Sequence, residues 1–321
     1  MKKYIFSFFF IIIPILFSLP ACSIKKLAMN QVANALTGQT SSTVFSGDND
    51  PELVGDALPF ALKMYESLLA ANPGHMGLRL QTGSLYIMYA NAFLQTPAAM
   101  LPEAEYKKQE FVFKRAKNLY LRGRDIILTG LEMEFPGFRA ALQKRNFSKA
   151  LAAATKKDAS SLYWAGAGWL GAYAIDPFDM DLGTSLPAAA AMMDRVFELD
   201  RNFENGAIHE FYILYYGSLP DYMGGSAAKA REHFKLALEV SGGKSSTPYL
   251  SLATTVSVKE QNIKEFKTLL NQALRIDPEA VPKNRLLTIL NQRKAQWLLE
   301  HADDYFLESE DTDKDKEEKR S

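Results

Sequence analysis

His209 and Glu210 stand side by side in GAIHEFYILYYG, and a His-Glu pair on a helix is how the metal site of many zinc proteases begins. That chemistry needs a second histidine one turn further on, sharing the face of the first, and position 213 is Ile. His75, His233 and His301 have no ligand-like spacing, and Cys22 is the only cysteine. Asp176, Asp179 and Asp181 in DPFDMD could offer calcium three oxygens, but the central glycine and distal glutamate of an EF-hand loop are missing. A loop that caps a helix is the simpler reading. There is no G-x-S-x-G elbow and no glycine-rich phosphate loop. The sequence therefore predicts no catalytic residue, no metal site and no cofactor, and the chain reads as a non-enzyme.

A different chemistry is suggested by SLYWAGAGWLGAYAIDP, where three glycines stand among two tryptophans and two tyrosines in a helical pattern. Each interior glycine costs a helix about 0.5–1 kcal/mol relative to alanine, so space on this helix outweighs propensity. Trp164, Gly168, Gly171 and Ile175 share one face, and Gly166, Trp169 and Tyr173 another. Two readings stay open. The glycines admit neighbouring helices at short range, or they leave a lumen walled by rings, as small-molecule sites are apolar with a few polar groups. In the second reading Trp164, Trp169, Tyr173, Tyr212 and Tyr216 line a cavity, with Asp176, Asp179 and Asp181 near its mouth. Phenolic rings suit such a wall, being apolar in body and polar at the tip.

The amino terminus indicates where this would happen. Lys2 and Lys3 precede the apolar run FSFFFIIIPILFSLPAC, the layout of a secretory signal. The run is short for a membrane span and contains Pro14. It closes on Leu19-Pro20-Ala21-Cys22, which resembles a bacterial lipobox, Pro20 apart. The resemblance implies cleavage before Cys22 and acylation of that cysteine, and several acyl chains give stable anchoring where one would not. An exported chain with one thiol builds no internal disulfide, which leaves Cys22 free for that role. The expected layout is a signal peptide at 1–21, the lipidated Cys22 with a Ser/Thr/Gly-rich tether over 22–50, a helical domain over 51–307, and a charged disordered tail at 308–321. The tether admits a short helix around Leu27 to Leu36.

Lys+Arg 37 against Asp+Glu 37 leaves no basic excess to attract nucleic acid, and none is expected as a partner. Apolar residues recur at three- and four-residue spacing over 57–71, 76–95, 103–131, 160–175, 187–199, 205–216, 226–240, 259–275 and 283–307, with no strand pattern. The fold is expected to be all-α. Within it, Ala61, Tyr65, Leu68 and Pro73 have the spacing of the second helix of a tetratricopeptide repeat, followed by Gly83 and Tyr86 in the next helix. The pattern returns at Ala189, Met193 and Val196, at Ala230, Phe234 and Ala237, and at Phe266, Leu270 and Ala273 before Pro278. The expected architecture is a helical-hairpin (TPR-like) solenoid with irregular insertions, since residues 103–160 lack the pattern.

Residues 203 to 299 resemble the carboxy-terminal half of the TatT family, the TPR-like lipoprotein component associated with TRAP transporters. The motifs are Pro220 with Met223-Gly224-Gly225, Ala230-Arg231-x2-Phe234, Ser241-Gly242-Gly243-Lys244, the run Gln261 to Phe266, Ala273-Leu274-x-Ile276-Asp277-Pro278, and Asn284-Arg285-Leu286 leading to Ala295-x-Trp297-Leu298-Leu299. The resemblance implies a lipoprotein of the bacterial periplasm, anchored to the inner or outer membrane. It also implies a homotrimer that associates with the periplasmic solute-binding protein of a TRAP transporter, each protomer offering a channel or cavity for an apolar ligand. A TPR-type envelope scaffold with only protein partners is the other reading left open.

Overall fold

The computed structural model describes residues 21–307, without the side chains of residues 21–28 and 39–42. Residues 1–20, the Cys22 side chain and the tail 308–321 lie outside what is described. Among the described residues the chain is helical and forms no strand. The main helices are α1 Ala21–Thr37, α2 Gln39–Ser46, α3 Pro51–Ala71, α4 Met76–Tyr89, α5 Tyr106–Glu134, α6 Phe138–Gln143 and α7 Phe147–Leu151. After these come α8 Ala159–Ile175, α9 Met180–Leu199, α10 Phe203–Ser218, α11 Ala227–Ser241, α12 Thr247–Leu252, α13 Ile263–Leu274 and α14 Arg285–Glu300. Wider π turns extend α4 over Ala90–Gln95 and α12 over Ala253–Ser257.

Side-chain caps fix where several helices begin. The Asp50 carboxylate accepts from the Leu53 amide at 3.0 Å with Pro51 in the first turn, Ser226 caps α11, and Asn262 caps α13. Each such cap satisfies an amide the helix itself cannot, worth about 1 kcal/mol. Gly242, in the left-handed region at φ 60°, ends α11, the usual place for glycine.

From α3 to α11 the long helices run up and down against their predecessors. Gly83 and Gly123 bring α4 and α5 so close that a Cβ on either would stand 2.7 or 2.5 Å from the other's carbonyl oxygen. Lys117 in the first half of α5 meets Asp176 just after α8, Trp169 meets Ser185 of α9, and Tyr212 of α10 meets Asp194 of α9. The repeat positions fall at these contacts: Ala61, Tyr65, Ala189, Met193, Ala230 and Leu270 are buried. Met193 and Leu270 are fully enclosed, which for side chains of this size contributes about 1.5–3 kcal/mol each.

One large core joins α1 through α10, and a second joins Ile213 of α10 to α11, α12, α13 and α14. Helix α14 spans both, with Leu286 in the first and Ala295 and Leu298 in the second. It also returns to the beginning of the domain: Arg293 pairs with Glu52 of α3, and Arg285 donates to the Gly47 carbonyl at 3.1 Å.

Three features depart from the sequence-based expectation. Residues 21–46, expected to hold a tether, form α1 and α2; Ala33 is buried in the first core, and Tyr65 donates to the Leu36 carbonyl. The physical reason is that Ala33 and Leu36 give α1 an apolar face despite its polar composition. The short helices α6, α7 and α12 were too brief to show a period. In α10 the first turn is left-handed at Glu204, Asn205 and Gly206, with Glu204 paired to Lys283 at 3.5 Å.

Candidate functional site

The glycines of α8 answer to their neighbours. A Cβ on Gly166 would meet the Met193 side chain at 2.8 Å, one on Gly168 the Ile87 side chain at 2.8 Å and the Tyr120 carbonyl at 3.1 Å, and one on Gly171 the Tyr120 ring at 2.5 Å. The space beside all three is filled by α4, α5 and α9. They serve close packing, and the rings around them are distributed to different places.

Trp169 reaches a cleft of about 550 Å³ between α5, the α6–α7 turn and the first turns of α9. Its indole N–H donates to Ser185 Oγ at 2.9 Å, and the Arg124 guanidinium lies 4.6 Å above the ring. Arg124 is paired with Asp125 at 2.9 Å. Leu121, Leu128, Leu142 and Leu182 supply apolar wall, and Arg139, Arg145, Asp179 and Asp181 supply charge. Arg139 donates to the Asp125 carbonyl and to Thr129 Oγ1, both at 2.9 Å. A volume of this size suits a small ligand, since such sites run from about 300 to 1,000 Å³.

The acidic loop after α8 is partly neutralised from within. Lys117, with 17% of its side chain exposed, reaches Asp176 at 2.8 Å and Asp179 at 2.7 Å. Burial works against the Lys117 charge, but the two carboxylates overcome it and hold its pKa above the usual lysine value. Asp179 is held below the usual carboxylate range by Lys117 and by the Leu182 amide, because it also caps α9. The Lys117 ammonium group thus bridges two carboxylates, and no cluster of three metal-ligating side chains occurs among the described residues.

Tyr212 and Tyr216 belong to another cluster. Tyr212 donates to Asp194 at 2.5 Å and stacks on His233, centroids 4.6 Å apart, with Tyr216 beside them. His209 Nδ1 meets His233 Nδ1 at 2.9 Å, so one ring donates and the other accepts. Burial, then His209 and Lys229, push His233 down to about 4. Glu210 points elsewhere: it accepts from Ser245 Oγ at 2.6 Å, and burial pushes it up to about 6. His209 and Glu210 therefore share no site. Trp164 sits edge-on to Tyr163, which packs on Phe203.

Of the residues expected at a ligand site, the cleft brings together Trp169, Asp179 and Asp181, while Trp164, Tyr173, Tyr212, Tyr216 and Asp176 lie apart from its lining. Sequence reading missed Arg124, Arg139 and Arg145. They come from α5 and the α6–α7 region, which carry no repeat pattern, and no local spacing marks them.

One end of the up-and-down series exposes several large apolar side chains among charged neighbours. The starts of α3 and α5 expose Leu53, Tyr106 and Phe111, the α8–α9 loop exposes Phe178 (91%), the first residue of α9 is the exposed Met180, and the α10–α11 loop exposes Tyr222 (88%). The opposite ends of these helices expose Met133. The cleft opens beside this apolar end, since Asp179 and Asp181 line it on either side of Met180.

A family model described as TRAP transporter T-component matches residues 47–306. An uncharacterized protein of Treponema pallidum (strain Nichols) is 36% identical over 302 residues, spanning 89% of this chain and 94% of that protein.

Proposed function

From the premise that the chain belongs to the TRAP transporter T-component family, we propose that it is a lipid-anchored periplasmic scaffold for the transporter's solute-binding subunit, with a site for a small, largely apolar ligand. Membership associates the chain with a TRAP transporter. The scaffold role, the trimer, the lipid on Cys22 and the ligand are the proposal. In this reading the protein is not an enzyme: it holds a partner and a ligand without changing either.

The observation that carries the reading is the apolar end. Phe178, Tyr222, Tyr106 and Phe111 expose large apolar side chains at this end, and groups of such side chains left uncovered mark interaction sites. Helix α1 adds direction. Asn34 meets His75 at 2.9 Å and Asn30 bonds Asn72, so α1 lies against the α3–α4 turn, at the end opposite Phe178 and Tyr222. Its first residues, next to Cys22, lie about nine residues beyond Asn30, some ~14 Å along a helix. A chain tethered there turns its apolar end away from the anchoring membrane, toward a soluble partner. No helix among the described residues is long and apolar enough to cross a membrane.

Native mass spectrometry of the full chain, alone and with the solute-binding subunit, tests this. The expected result is a trimer that takes up the subunit at fixed stoichiometry, and loses it on Phe178→Asp with Tyr222→Asp while circular dichroism is unchanged. Uptake indifferent to both substitutions removes the docking role of this end. A monomer indifferent to the subunit removes the transport scaffold and leaves the envelope scaffold.

A further inference from the structure

The second core meets the first along α10, and one contact there joins two groups that cannot both carry charge. His209 of α10 and His233 of α11 face each other with Nδ1 atoms 2.9 Å apart and ring centroids 5.2 Å apart. The rings therefore meet end to end, with one proton between the two nitrogens. His209 also bonds to the Arg201 backbone, which favours a proton on its other nitrogen and leaves Nδ1 to accept from His233. This is the geometry of a shared proton, since the ligands of a metal ion converge on a point instead of facing along a line.

A second proton has no place in this arrangement. With both rings charged neither Nδ1 can accept, and two like charges stand 2.9 Å apart. His209 is buried and His233 half-buried, stacked with Tyr212 and Tyr216, while Phe197 of α9 lies edge-on to both. The surrounding charges give little relief. Lys229 of α11 lies 5.0 Å above the Tyr216 ring and Arg201 lies 5.2 Å above that of Phe197, so both add positive charge. Asp194 of α9 already accepts from Tyr212, and Glu232 of α11 is exposed. Burial is the main cause that holds both rings below the usual histidine range.

The place of the pair gives its charge a structural consequence. Helix α11 contributes Ala230 and Ala237 to the second core only, whereas α10 carries Ile208, Phe211 and Tyr212 in the first and Ile213 in the second. Beside the pair, the Ser226 amide donates to the Tyr216 carbonyl at 2.8 Å and Ser245 donates to Glu210 at 2.6 Å. We propose that His209 and His233 form an acid-sensitive latch between the two cores: sharing one proton they hold α11 on α10, and on taking up a second they release it. A histidine whose pKa falls on burial from 6.5 to about 4 contributes stability that is complete above pH 6.5 and is lost as pH drops toward 4. Glu210 at the same seam acts the other way, because burial raises it to about 6 and protonation relieves its charge.

Hydrogen exchange of the full-length protein at pH 7 and pH 5, corrected for intrinsic amide rates, tests the latch against His233→Asn, whose amide N–H can stand in for the Nδ1 donor. Held at about 4 and released at 6.5, His233 makes opening of α11 about twentyfold easier at pH 5 than at pH 7. Glu210 is common to both proteins and cancels in their comparison. The acid-induced rise in α11 exchange is therefore expected to be about tenfold or more larger in the wild type than in the variant, with no such difference in α4. Equal rises in the two proteins overturn the latch. A difference shared by α4 overturns it too, because the pair then titrates only when the whole domain unfolds. Nitrogen NMR of the histidine rings needs no variant. It is expected to show one of the two rings protonated on Nδ1 and the other on Nε2 at pH 7, with neither charged at pH 6. The same tautomer in both rings, or either ring titrating near 6.5, overturns the proposal whether or not the variant folds.

Discussion

Replacing Glu210 by Gln should make the protein more stable at neutral pH, and the gain should depend on pH. Burial raises the Glu210 pKa from 4.5 to about 6, against the opposing hydrogen bond from Ser245. A carboxyl whose pKa is higher folded than unfolded contributes stability that is complete below pH 4.5 and is lost as pH rises through about 6. That difference corresponds to about 2 kcal/mol at pH 7.5. Glutamine keeps the shape and still accepts from Ser245, but has no charge to bury. The Tm of Glu210→Gln should therefore match the wild type near pH 4.5 and exceed it by roughly 4–8 °C at pH 7.5, at about 2–4 °C per kcal/mol for a domain of this size. His233 acts in the opposite sense, because its pKa falls from 6.5 to about 4 on folding and its contribution is lost as pH drops. It is present in both proteins, so the difference between their scanning-calorimetry curves isolates Glu210. A difference that stays flat from pH 4.5 to 8 would falsify the claim that Glu210 is desolvated.

Further outcomes are expected on the same grounds. Gly171→Ala should destabilise by about 1–3 kcal/mol, as overpacking does, because the new Cβ meets the buried Tyr120 ring, whose hydroxyl is held by Gln95 at 2.6 Å. Gly166→Ala should cost less, since the obstacle is the flexible Met193 side chain; equal denaturant midpoints for the two variants would contradict this. Tyr212→Phe leaves Asp194 without its donor and should lower stability by about 1 kcal/mol in urea unfolding. Gln261→Gly should lower Tm although it relieves a left-handed residue at φ 53°, because Gln261 gives up three side-chain hydrogen bonds, to Val258, Tyr305 and Leu307.

The sequence made the helices legible where their period was long. The repeat spacings at Ala61 and Tyr65, and at Ala230 and Ala237, point inward because small and aromatic residues at those intervals can only meet another helix. The π turns at Ala90–Gln95 and Ala253–Ser257 left no local trace, since an apolar run reads alike at either winding. For α8 the residues posed the question of space without deciding it. What fills the gap beside Gly168 is Ile87, about eighty residues away, and beside Gly171 it is Tyr120. The cleft was half legible: Trp169, Asp179 and Asp181 could be named from an aromatic helix and an acidic loop. Its arginines could not, because Arg124, Arg139 and Arg145 acquire meaning only when α5 and the α6–α7 turn fold against α9.

The return of α14 to the beginning of the domain, through Arg293 with Glu52 of α3 and Arg285 with Gly47 at the end of α2, gives the series of helices a seam where an open stack would have two loose ends. Open stacks melt from their termini, one unit after another, because each unit is held only by its neighbours. With α14 laid against the start of α3, neither of these two helices is an outermost unit from which melting can begin. Hydrogen exchange in α3 and α14 should therefore be as slow as in the middle helices, and a cut at the seam should loosen the first and last helices together.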